Sequence, residues 1–158
     1  MTDTPVDPVR SRIMRSVRQR KTKPEMVVRR WLHGRGYRFR TNVKGLPGSP
    51  DIAFTKRHKA IFVHGCFWHR HPGCRLASTP KTRTEFWETK FAANVERDRR
   101  KVEELERAGW EVLTVWECET RDPETLMPRV ERFVGPLQHL AAVGAKADEE
   151  SCPDTGQT

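Results

Sequence analysis

The apolar positions of this chain change period several times. At Thr22-Lys23-Pro24-Glu25 the sequence has the form of a capping box with proline near the first helical position. Val27, Val28, Trp31 and Leu32 then recur at helical spacing until Gly34 and Gly36. Residues 37–41 alternate as a strand would, and residues 45–50 (GLPGSP) are turn material leading into a second strand at 51–54. After a polar turn at 56–59, the unbroken apolar run at 60–64 reads as a central strand. Residues 65–81 mix Gly, Cys, His and Pro without a period and form a loop. Thr82 with Glu85 suggests a second capping box, opening a long helix with Phe86, Phe91, Val95, Val102 and Leu105 inward and Gly109 at its end. Residues 110–116 (WEVLTVW) are another strand, and Asp122-Pro123-Glu124 opens a last helix carrying Leu126, Val130, Phe133 and Leu137. Upstream, residues 8–21 set Ile13 and Val17 four apart among Arg10, Arg12, Arg15, Arg18 and Arg20. That helix is marginal alone and needs a core or phosphates to order it. The order α-β-β-β-α-β-α predicts an α/β (α+β) fold, a mixed sheet flanked by helices.

Charge narrows the partner. The 158 residues carry a net +9, yet residues 144–158 hold one Lys against four acidic groups, which leaves +12 on the rest. Such a surplus on a small body points to a polyanion, nucleic acid foremost. The expected organisation is a basic DNA-contacting arm at 1–21, a domain at 22–143 and a disordered acidic tail at 144–158. No apolar run reaches the ~18 residues of a membrane span, and the start has no signal-peptide core, so a cytoplasmic protein is expected. In a reducing compartment, Cys66, Cys74 and Cys118 serve a metal or chemistry rather than disulfides, while Cys152 lies in the polar tail.

Three groups of residues could carry chemistry. Asp51 opens one strand and Val63-His64 closes the next, so a carboxylate and a main-chain carbonyl can lie side by side, as a divalent cation requires. A turn aspartate and a satisfied histidine would read the same way. In Cys66-Phe67-Trp68-His69-Arg70-His71-Pro72-Gly73-Cys74, two thiols and a histidine suit a metal knuckle, with Cys118 a reasonable fourth ligand. Such a site has no open position and is structural. Phe67 and Trp68 would then sit on a pinned loop, where with Trp87 they could serve as core or as a wedge between base pairs. On the long helix, Asp98 lies in a charge run that either faces solvent or orients a histidine.

The words GLPGSPDIAF, VHGCFWHRH, TRTEFWETK, NVERDRR and VLTVWEC together resemble the very-short-patch repair (Vsr) DNA mismatch endonucleases, from about Arg10 to about Val134. The resemblance implies a restriction-endonuclease-like fold and magnesium-dependent nicking 5′ of the thymine in T·G mismatches left by deamination of 5-methylcytosine. It implies Asp51 as the Mg2+ carboxylate with the Val63 carbonyl beside it, His69 in proton transfer, and His64 where related nucleases place an acid or lysine. Glu25 matches the family's acidic residue on the first long helix. Cys66, His71, Cys74 and Cys118 match its structural Zn2+ set, Phe67, Trp68 and Trp87 its aromatic wedge, and Met14 a minor-groove insertion. The expected protein is a monomer acting on double-stranded DNA at the nucleoid, with mismatch-repair proteins such as MutL as further partners. One departure stands out: Pro72-Gly73 makes the zinc loop one residue longer than the family pattern. Two other readings share these features, a non-catalytic zinc-containing DNA-binding module and a restriction-type endonuclease on the same fold.

Overall fold

The computed structural model describes residues 21–137. The expected basic helix, Met14 and the acidic tail lie outside the described residues.

Helix α1 (Lys23–Gly34) begins with the expected capping box. The Thr22 hydroxyl accepts from Glu25 N–H, and the Glu25 carboxylate accepts from Thr22 N–H. Strand β1 (Ile52–Phe54) pairs antiparallel with β2 (Lys59–His64), and β2 pairs in parallel with β3 (Glu111–Trp116). Between β2 and β3 runs the long helix α2 (Thr84–Arg107), the crossover that a parallel pair needs. A short 3-10 turn (Glu119–Arg121) leads to α3 (Pro123–Val134), capped by Asp122 with Pro123 at its start.

Alternation along β2 sorts the layers. Ile61 joins Val28 and Leu32 of α1 and Leu126, Met127, Val130 and Val134 of α3 on one face. Ala60 and Phe62 point to the other face, against Leu105 and Val102 of α2. The sheet is therefore sandwiched between α1 and α3 on one side and α2 on the other, a mixed α/β architecture consistent with a restriction-endonuclease-like fold. Because β2 and β3 are parallel, with His64 opposite Trp116, both chains leave the sheet at the same edge. That edge is where the chemistry gathers.

Three local expectations need correction. Residues 37–41 form no full strand but a single bridge, Arg40 to Ala53. Tyr37 is instead buried, with its hydroxyl donating to Gly135 O, and Asn42 turns at φ 49° to donate to Pro50 O. The Thr82–Glu85 capping box does not form: α2 starts at Thr84, behind a left-handed Arg83 that makes no side-chain cap. Phe86 and Val95 do not face inward; they are 47% and 45% exposed. A 24-residue helix is about 36 Å long against about 20 Å for a six-residue strand, so its first turns overhang the sheet.

Candidate active site and metal cluster

Asp51 enters β1 half-buried, and its Oδ2 accepts from Val63 N–H at 2.8 Å. Carboxylate and Val63 main chain are thus adjacent, as the strand register requires. Burial, and next to it the Glu25 carboxylate, push the Asp51 carboxyl up from the ordinary 3.8 to about 6, against the Val63 hydrogen bond, Arg29 and His69. A carboxylate kept this uncomfortable is poised for a cation.

His64 ends β2 on the α2 face and is buried. Its ring stacks on His69 with centroids 4.0 Å apart and planes 8° apart. Burial first, and then the neighbouring His69, push His64 down to about 3, which keeps it neutral. The Nδ1 of His69 lies 2.5 Å from Asp98 Oδ2, so Asp98 accepts its proton and leaves Nε2 as the basic nitrogen. Burial pushes Asp98 up, but the His69 hydrogen bond and charge outweigh it and hold the carboxyl below its ordinary value.

Asp98 is buried for a simple reason. Phe91, Asp98 and Leu105 are the buried residues of α2 and stand seven apart, two helical turns each, on one face. An acid in a core stripe is a signal the sequence carried, although it looked like part of a charge run.

Glu25 is 2% exposed and pairs with Arg29, which also donates from Nη2 to Asp51 O at 3.4 Å. Among the described residues, the buried side-chain polar atoms without a hydrogen-bond partner are Glu25 Oε1, Arg29 Nε and Asp98 Oδ1. All three belong to residues bonded to Asp51 or His69, or paired with one that is. Glu25 Oε1 is nevertheless the atom ion-paired with Arg29, and Asp98 Oδ1 lies 3.9 Å from Lys101 Nζ, so the two buried carboxylates have charge partners and retain oxygens that water or a cation could take.

The second cluster is a Cys3His set. Ligand atoms of Cys66, His71, Cys74 and Cys118 lie within 4.8 Å of one another. His71 Nδ1 is 3.6 Å from Cys66 Sγ and 3.3 Å from Cys118 Sγ, close to the roughly 3.6 Å edge of a tetrahedral ion with 2.1–2.3 Å bonds. Burial pushes the Cys66 thiol up to about 12, so a metal ion must displace a firmly held proton. The loop between His71 and Cys74 closes in a turn: Pro72 is followed by Gly73 at φ 68°, and Cys74 N–H donates to His71 O. Trp116 is a wall shared by both centres, stacked on His71 at 4.4 Å and edge-on to His64 at 5.5 Å.

The aromatics assemble beside the site. Phe67 meets Trp68, Trp87 and Phe91 with centroids 5.1, 5.9 and 5.2 Å apart, so one side of Phe67 is anchored in the core. Asn94 of α2 donates to Trp68 O at 3.1 Å and ties the loop to the helix. Phe86, expected inside, is exposed against Trp87 at 5.4 Å. Lys90 stands over Trp68, Phe86 and Trp87 at 5.4–5.8 Å, a cation on an aromatic patch.

The structure thus brings together Asp51, Val63, His64, His69 and Asp98, links Glu25 to them through Arg29, and gathers the four candidate metal ligands and the three aromatics expected as a wedge. Reading the sequence did not single out Arg29, Lys101, Asn94 or Phe86. Lys101 has its Nζ 3.9 Å from Asp98 Oδ1, and its stem passes so close to Gly48 that a Cβ there would meet it at 2.7 Å.

A strand-end carboxylate, a histidine–carboxylate pair and a half-buried aromatic patch beneath a lysine suit a hydrolase that cleaves DNA, and comparison with known proteins specifies a nicking endonuclease. The family described as DNA mismatch endonuclease Vsr matches residues 2–75. The type II nicking enzyme V.XorIIP of Xanthomonas oryzae pv. oryzae is 47% identical over 137 residues, covering 86% of this chain and 99% of that protein. The DNA mismatch endonuclease Vsr of Escherichia coli is 45% identical over 126 residues, 80% of each chain. The type II nicking enzyme V.NmeAIP of Neisseria meningitidis is 40% identical over 134 residues, 85% of this chain and 95% of that protein. The chain belongs to the Vsr DNA mismatch endonuclease family. Among the described residues no helix is long and apolar enough to cross a membrane.

Proposed function

We propose that this nicking endonuclease recognises T·G mismatches arising from deamination of 5-methylcytosine and hydrolyses the phosphodiester 5′ of the thymine, the first step of very-short-patch repair. The observation that carries the reading is the loop after β2: it sets His69 against Asp98 near Asp51 and, in the two residues just before His69, lays Phe67 and Trp68 against Trp87. Recognition and chemistry share one stretch of chain.

Lys and Arg side chains supply salt-dependent, sequence-blind binding to phosphates. The aromatic patch, with Met14 from the basic arm, pries into the base stack at the mismatch. A T·G wobble resists less than a Watson–Crick pair, so the energy of opening is what is read. Asp51 and the Val63 carbonyl would hold Mg2+, with Glu25 behind them. When bound, the ion supplies charge stabilisation to the phosphate. His69 Nε2 takes the proton of the attacking water, and Asp98 fixes the ring through Nδ1–H and stabilises the imidazolium that forms. His64, held neutral, packs against His69 and excludes solvent from one face of the ring. Cys66, His71, Cys74 and Cys118 would hold a structural Zn2+ that pins the loop. We place the protein in the cytoplasm as a monomer on nucleoid DNA, with MutL-type repair proteins as candidate partners.

A strand-resolved cleavage assay tests this. Duplexes carry T·G, T·A or C·G at one position in several methylase-type contexts, with and without Mg2+. The expected result is one Mg2+-dependent nick just 5′ of the mismatched thymine. Tight T·G binding with no nick in any context would make the protein a binding module. Double-strand cuts at paired DNA would make it a restriction-type enzyme.

A further inference from the structure

We propose that Arg29 is a positioning residue for the cation site, tying the main chain at Asp51 to the Glu25 carboxylate. The inference rests on the assignment of Asp51 and Glu25 to that site. Arg29 is 9% exposed, which is rare for an arginine and penalises the fold unless the charge is used. Two bonds use it: the ion pair with Glu25, four residues earlier on α1, and the Nη2 donation to Asp51 O. The second bond crosses from helix to strand at the residue whose side chain carries the chemistry.

This contact is the direct polar link between α1 and the peptide of Asp51. The Asp51 side chain is fixed at one end by Val63 N–H, but β1 begins only at Ile52. Residues 45–50 before it are turns, with Gly48 and Ser49 both at positive φ. Without Arg29, Asp51 hangs between a loop and a three-residue strand. With it, the Asp51 carbonyl and the Glu25 carboxylate are both referenced to one nitrogen, Nη2, of a planar guanidinium. A lysine ammonium, rotating freely on a flexible stem, does not fix the direction of both contacts as the planar guanidinium does.

A purely electrostatic role makes the opposite prediction. A buried cation beside a cation site repels the incoming ion, so deleting it should strengthen binding once its partner charge is also gone. Full-length Glu25→Gln and Glu25→Gln/Arg29→Met proteins would be titrated with Mn2+ in the absence of DNA, by water-proton relaxation. Asp51→Asn is the control, and Arg29→Lys is assayed for nicking. The double variant has lost both charges of the pair together, so it should melt near the Glu25→Gln protein rather than collapse.

The positioning role predicts Mn2+ binding about tenfold weaker in the double variant than in Glu25→Gln, the size usual for loss of a residue that orients a metal ligand. It also predicts that Arg29→Lys loses at least tenfold in kcat with KM for DNA within twofold. Equal or tighter Mn2+ binding in the double variant overturns the inference and leaves Arg29 as a counter-charge to Glu25. Undiminished Mn2+ binding by Asp51→Asn removes the cation-site reading itself, and this inference with it. Loss in that control without loss in the double variant removes the inference alone.

Discussion

Replacing Asp51 with Asn should make the protein more stable and inactive at once. The Asp51 carboxyl is raised from 3.8 to about 6 by burial and by Glu25. The native state therefore holds its proton more tightly than the unfolded chain does, so stability falls as pH rises from ~4 to ~6 and stays at the lower level above that. The full penalty is the shift times 1.36 kcal/mol, about 3 kcal/mol at pH 8. Asn is the same size and carries no charge, so Asp51→Asn recovers most of it. Some is forfeited because the Val63 N–H would then bond a neutral oxygen. In a chain of this length ~2–3 kcal/mol is roughly 4–12 °C in Tm. The assay is thermal unfolding of magnesium-free, zinc-loaded protein at pH 4 and pH 8. Asp51→Asn should melt higher at pH 8 and match the original at pH 4, and added Mg2+ should stabilise only the protein that retains Asp51. An Asp51→Asn variant that melts no higher at pH 8, or by the same margin at both pH values, would refute the argument that burial strains this carboxylate.

Other predictions follow from the same geometry. Asp98→Asn should lower kcat by roughly 10²–10⁴ with T·G affinity intact, since it removes the acceptor that orients His69; single-turnover nicking and a binding titration separate the two. Cys66→Ser should release the bound zinc and lower Tm by many degrees, because metal binding contributes to folding; metal analysis and melting curves read both. The His64 ring, pushed down to about 3 by burial and by His69, should show no titration between pH 5 and 8 in an NMR series. Its depressed value means stability drains away as pH falls below the ordinary 6.5. Phe86→Ala should reduce discrimination of T·G from T·A while leaving Tm within a degree or two, because that ring is 47% exposed and little of it is buried; competition binding measures the ratio.

Much of the site was legible because it is local. Three of the four metal-cluster residues, His64, His69 and two of the aromatics lie between His64 and Cys74, and an eleven-residue word can be read without a fold. The strands were legible where burial is two-sided, as in β2. What escaped reading depends on where elements end relative to one another. Phe86 fits a helical stripe as well as Phe91 does, and only the shorter sheet beneath α2 decides which is covered. Residues 37–41 alternate well, yet Tyr37 reaches Gly135 and Asn42 turns back to Pro50, so a single bridge is left. Arg29 was invisible because its partner Asp51 is 22 residues away and the bond goes to a carbonyl, which every residue has. Asp98 is legible as a candidate orienter of a histidine, and its heptad spacing from Phe91 and Leu105 is the further sign that it is buried rather than solvated.

The loop after β2 has a consequence for how such an enzyme can diversify. Between His64 and Cys74, most side chains are held in the Cys3His cluster, the His64–His69–Asp98 group or the aromatic patch. A change that re-aims Phe67 or Trp68 also moves His69 and strains the cysteines, so variation there is penalised twice. The overhanging start of α2 is different: Phe86, Trp87 and Lys90 touch the same patch, hold no ligand, and lie beyond the part of the helix that packs on the sheet. New sequence preferences should therefore arise on that helical overhang, with the loop inherited as a unit.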